Sequence, residues 1–119
     1  MFQKTDAEAI FQLAQELAAS ASESGDEIKL RSAVSRAYYA VFLLAREKTK
    51  VTSSTDVHAE VVRRVNRQYS TMTGDTLHKM KTRRNAADYE FPPSEEFRDW
   101  KENWRFAESK GKFLLERFR

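Results

Sequence analysis

The chain has 119 residues, 21 Lys+Arg against 18 Asp+Glu, no cysteine, 3 Gly and 2 Pro. That length reads as a single domain over residues 1–119, large enough to bury an unaided core. The composition excludes a disulfide framework and fits a cytoplasmic compartment, and neither a signal peptide nor a membrane span is expected.

Thr5 or Asp6 is placed to cap a first helix, whose apolar stripe is Ile10, Leu13, Ala14, Leu17, Ala18 and Ala21. Ser22 to Gly25 breaks it, with a turn at Gly25. A second helix is predicted from about Asp26 to Lys48, with Leu30, Val34, Ala37, Tyr38, Val41 and Ala45 on its stripe. Phe42 and Leu44 widen that stripe, so the second helix is expected to be central and contacted on more than one side. Lys50 to Thr55 is a polar connection. Asp56 then caps a short third helix built on Val57, Val61, Val62 and Val65.

Gln68 to Gly74 reads as a loop, and a fourth helix starts near Asp75 with Leu77, Met80, Ala87 and Phe91 on its apolar face. Pro92 and Pro93 end it, because proline lacks a backbone donor and restricts the residue before it. Ser94 is placed to cap a fifth helix carrying Phe97, Trp100, Trp104, Ala107, Leu114 and Phe118, with a bend or fraying at Gly111. Five helices with short connections give an all-α, up-and-down antiparallel bundle.

Charge is concentrated. Between Val61 and Ala87 lie Arg63, Arg64, Arg67, Lys79, Lys81, Arg83 and Arg84 against the single acid Asp75. A basic segment of this kind suits a polyanion such as RNA, and equally a solvated helix face. The densest polar run is Thr82 to Phe91, TRRNAADYEF. Arg84 falls on the apolar stripe of its own helix, seven positions after Leu77, and a guanidinium there must be paired or open into a wet seam. One reading pairs Arg84 with Asp88 a turn later. The other places Arg84 at a seam between two copies of the chain, bordered by the second and fourth helices.

Tyr38 reads as a core aromatic, while Ser35, Arg36 and Tyr39 flank the stripe of the second helix and are candidates to line that seam. His58 reads as a cap or packing residue; His78 touches phosphate or is simply exposed; Trp100 and Trp104 read as core. No cofactor is expected, since histidines are few, cysteine is absent and no Gly-rich phosphate loop is present.

SRAYYAVF at Ser35–Phe42 and RRNAADY at Arg83–Tyr89, with His58 between them, together resemble the HEPN superfamily of small helical bundles over about Thr5 to Phe118. The resemblance implies an up-and-down bundle of a kind that commonly dimerises, and for many relatives a metal-independent RNA endonuclease of toxin or defence type. Some relatives pair with a nucleotidyltransferase antitoxin. Carried over by position, Arg84 matches the catalytic Arg and Asn85 the polar residue after it, with Asp88 beside them. Tyr89 stands where the family has His, and Phe91 where relatives carry a Tyr. An unperturbed tyrosine has a pKa of about 10, which makes it a poor general base near neutrality.

Two functions are therefore expected. One is an RNA nuclease with Arg84, Asn85, Asp88 and Tyr89 at a dimer seam, its RNA held by Arg63, Arg64, Arg67, Lys79, Lys81 and Arg83. The other is a non-catalytic module that binds RNA, a nucleotide or a partner protein.

Overall fold

The computed structural model describes residues 1–21, 26–52 and 55–119. Five helices follow in order: α1 (Lys4–Ala21), α2 (Glu27–Thr49), α3 (Val57–Gln68), α4 (Thr71–Tyr89) and α5 (Trp100–Arg117). The described residues contain no strand, so the chain is an all-α helical bundle, as its spacing predicts. Helix α2 packs against each of the other four, and every helix touches the next in sequence, as short connections require. The width of the α2 stripe has this cause: Leu30, Val34, Ala37, Tyr38, Val41, Leu44 and Ala45 are all buried.

Side-chain caps set several helix ends. Asp26 Oδ1 accepts the backbone N–H of Ile28 at 3.1 Å, and Asp56 Oδ1 that of Ala59 at 3.1 Å, both at the expected positions. Elsewhere the boundaries differ from the sequence reading. Helix α1 begins at Lys4, before either expected cap, and Asp6 Oδ2 reaches back to the Gln3 N–H at 2.8 Å. Its buried face is Ala7, Phe11, Ala14, Ala18 and Ala21, while Leu13 is exposed and Ile10 and Leu17 are only partly covered. Alanines let α1 lie close on α2, where Ala33, Ala37 and Ala40 are also buried. That close approach rotates the bulkier leucines outward.

The expected loop from Gln68 to Gly74 shrinks to Tyr69 and Ser70. Ser70 Oγ accepts the Thr73 N–H at 3.1 Å and starts α4 four residues before Asp75. Gly74 is a helical contact residue, because a Cβ there would overlap the Asn66 side chain of α3. Helix α5 begins at Trp100 rather than behind Ser94. Asp99 Oδ1 caps it by accepting the Glu102 N–H at 3.1 Å, and Asn103 Nδ2 donates to Phe97 O at 2.9 Å, which pins the preceding loop. Gly111 neither bends nor frays α5; it is buried under the Phe11 ring, where a Cβ would collide. The expected turn at Ser22 to Gly25 lies outside the described residues.

Phe91 is exposed rather than part of the α4 stripe, yet its ring centroid lies 3.8 Å from the Arg31 guanidinium. Arg31 is only 2% exposed. Its Nη1 donates to Ala86 O at 3.0 Å and Ala87 O at 3.2 Å, and its Nε donates to Glu27 Oε2 at 3.0 Å. The Trp100 ring covers the same guanidinium at 4.5 Å. Arg31 thus ties α2 to the last carbonyls of α4 and to the start of α5.

Candidate functional site

The seam between α2 and α4 is built around Arg84. Its side chain is 14% exposed, and Nη1 lies 3.6 Å from Asp88 Oδ2, one turn along the helix. Of the two sequence readings of Arg84, the intrahelical pair with Asp88 exists, though it is long, and the seam found here lies between α2 and α4 of one chain. Ser35 Oγ on α2 donates to the same Asp88 oxygen at 3.2 Å, so that carboxylate is shared across the seam. The Arg84 guanidinium carbon is 5.2 Å from both the Tyr38 and the Tyr39 ring centroids, and its Nε is buried without a hydrogen-bond partner. A cation held this loosely by its own carboxylate keeps donors for an anion, and a planar fork suits phosphate.

Behind Arg84, α3 supplies a group that sequence reasoning assigned to capping or packing. His58 Nδ1 and the Tyr38 hydroxyl are 2.6 Å apart. The His58 ring stacks on Phe42 with centroids 5.7 Å apart and lies 6.0 Å from the exposed His78 ring. Burial, then the charges of Lys81 and His78, lowers the His58 pKa from 6.5 to about 4. Burial likewise pushes the Tyr38 phenol up, against the opposing charge of Arg84. At neutral pH the cluster therefore holds a neutral imidazole hydrogen-bonded to a neutral phenol. No local signal marks this pair, since Tyr38 and His58 are twenty positions apart and meet only through helix packing.

Because the folded-state pKa of His58 lies below its ordinary value, the unfolded chain takes up a proton first as pH falls. The stability that His58 contributes is present above its ordinary pKa of 6.5 and is lost as pH drops towards about 4. Urea midpoints at neutral pH and at about pH 5 should fall more for the native chain than for His58→Asn. Equal falls in the two proteins would refute the assignment.

The other candidates are placed unevenly. Arg36 is exposed on α2, and Asn85 is half-buried on α4. Tyr89 is 74% exposed, and α4 is regular through both positions, so Arg84 and Tyr89 leave the helix roughly 140° apart. A single chain does not bring them together.

The basic residues divide as well. Arg83 turns towards α5, its guanidinium 3.6 Å from the Phe106 centroid and 5.1 Å from that of Phe97. Lys79 and Lys81 are two residues apart on one helix and so point roughly 160° apart. Lys81 acts on His58 and Asp56 at the α3 side. Arg63 and Arg64 both pair with Glu60, Arg64 Nη1 also donates to Thr49 O at 3.0 Å, and Arg67 is exposed beside Arg64 in a shallow cavity. Arg83 is thus turned to α5, and the basic residues of α4 do not share one helix face.

Among the described residues, no group of three or more His, Cys, Asp or Glu is arranged to hold a metal ion, and no helix is long and apolar enough to cross a membrane. Fold and seam together define a class: an all-α bundle with a half-buried arginine between its second and fourth helices. No family model, curated protein or solved structure matches the chain.

Proposed function

We propose that the chain is a HEPN-like RNA-binding protein that takes an RNA phosphate on Arg84 and, as a homodimer joined across α2 and α4, cleaves RNA without a metal ion. The observation that supports this is the state of Arg84. It is largely withdrawn from water, bracketed by two tyrosines and only distantly paired with Asp88. In the reaction, the RNA 2′-hydroxyl attacks the adjacent phosphorus and the bond to the 5′-oxygen breaks, leaving a cyclic phosphate and a 5′-hydroxyl. Arg84 offsets the charge that builds on the non-bridging oxygens. Asp88 balances the charge of Arg84 through a long pair, while Asn85 and the second copy's Tyr89 position the reacting oxygens. Such an activity belongs in the cytoplasm, in a toxin–antitoxin or defence role.

One observation favours a second reading. The exposure of Tyr89, directed away from Arg84, suits a non-catalytic module that binds RNA, a nucleotide or a partner such as a nucleotidyltransferase antitoxin.

Incubating the purified protein with mixed RNAs in EDTA tests the proposal: cleavage with cyclic-phosphate ends is expected, unaffected by the chelator. Binding to single-stranded RNA should weaken roughly tenfold to a hundredfold between 50 and 200 mM salt, as three or so phosphate contacts release counterions. Steep salt dependence without cleavage selects the non-catalytic module. Binding that is flat with salt, or absent, removes RNA as the ligand.

A further inference from the structure

The proposed chemistry uses Arg84 and residues of its own helix, yet side chains from two other helices are arranged around the guanidinium. On α2, the rings of Tyr38 and Tyr39 stand at 5.5 Å in an edge-to-face arrangement, and each lies 5.2 Å from the guanidinium. Tyr38 is fully buried, and stacking on Phe42 at 5.5 Å leaves its hydroxyl pointed at α3. There His58 Nδ1 meets it at 2.6 Å. The groups facing His58 are Tyr38 and Phe42 from α2 and His78, Lys81 and Arg84 from α4, with Asp56 at the start of its own helix. Three of these are basic, so a neutral imidazole is the state that leaves Arg84 unrepelled.

We infer that Tyr38 and His58 are positioning residues for Arg84: His58 fixes the Tyr38 phenol from α3, and the phenol with Tyr39 fixes the guanidinium from α2. The contact chain runs through three helices, whereas the Arg84–Asp88 pair runs along one. An ion pair at 3.6 Å within a single helix does not by itself select one arginine rotamer. Two aromatic faces, one anchored by a partly buried hydrogen bond, do so before any ligand arrives, which lowers the ordering cost of binding. The consequence for RNA rests on the reading of Arg84 as the phosphate-binding group. The positioning itself concerns only the guanidinium.

The two are separated by observing Arg84 directly in proton–nitrogen NMR spectra of the full chain. Its Nε–H, buried and without a partner, is expected as a resolved, slowly exchanging signal identified by its loss in Arg84→Lys. Tyr38→Phe and His58→Ala should each move that signal towards those of exposed arginines and weaken RNA binding severalfold. His58→Asn, which carries an amide at the height of Nδ1, should restore both. Val61→Ala, a core truncation on the same helix, should lower stability without moving the signal.

A signal that is absent from the native chain, or unmoved in Tyr38→Phe and His58→Ala, would overturn the inference. Should His58→Ala fail to fold, Tyr38→Phe decides alone, being nearly isosteric. A signal that depends on His58 in a protein that binds no RNA would uphold the positioning and refute the RNA reading.

Discussion

Replacing Arg84 with alanine should lower RNA cleavage by roughly a hundredfold or more, the loss typical of one well-placed donor to a charged transition state. The bundle should remain folded. Asp88 keeps its bond from Ser35 and is partly open to water, so losing a long pair with it costs at most about 1 kcal/mol. Arg84→Lys should recover little activity, because a point charge does not reproduce a planar fork bracketed by two rings. Position 89 adds a second comparison. Tyr89→Phe should reduce cleavage, and Tyr89→His should preserve or raise it by supplying a group that titrates near neutrality. An inert native protein made active by Tyr89→His alone would mean a nuclease scaffold without its chemistry. If neither Arg84→Ala nor Tyr89→His changes any RNA property while Arg84→Ala abolishes dimerisation, Arg84 is an interface residue instead.

The largest effect on stability is expected at Arg31, outside the seam. Arg31→Leu removes a guanidinium that holds the carbonyls of Ala86 and Ala87 and the Glu27 carboxylate, under the rings of Phe91 and Trp100. Hydrogen bonds to a charged group are worth about 1.5–3 kcal/mol each; Ala86 O keeps the Glu90 N–H at 3.1 Å, but Ala87 O loses its Arg31 donor. Against this, leucine removes the cost of holding a charge away from water. The balance is a loss of about 3 kcal/mol, measured by urea denaturation at neutral pH, where the state of His58 is constant. A loss below about 1 kcal/mol would mean that water replaces Arg31 at the end of α4. Because α4 ends one residue after Asp88, the same variant should loosen the seam. Its RNA affinity is therefore best compared at a temperature where it is fully folded.

Much of this architecture follows from local information in the chain. Helical spacing of apolar residues and the carboxylates of Asp26 and Asp56 act within a turn or two, so α2 and α3 begin where the sequence predicts. The breadth of the α2 stripe likewise announces a helix covered on several sides, and Arg84 interrupting an apolar stripe marks a seam before any packing is known. Other features were decided by tertiary contacts. Alanine or leucine on the buried face of α1 is a choice made by how closely α2 approaches. Gly74 and Gly111 read locally as breaks, yet both lie inside helices at close contacts, where a Cβ would collide with the Asn66 side chain and the Phe11 ring. Ser94 and Asp99 are equally good caps by residue type. Asp99 is used because Asn103 and buried Phe97 hold the intervening loop.

The candidate site shows the same division. Arg84 and Asp88 are one turn apart, and their pairing is legible from spacing alone. The Tyr38–His58 bond joins two helices, and the Arg31 contacts reach residues 55 and 56 positions away. Clustering in sequence also misleads for Arg83, which neighbours Arg84 but lies on the face of α4 turned to α5. A helix rotates about 100° per residue, so adjacent positions belong to different surfaces, and only the packing of the other helices decides which of those surfaces meets water.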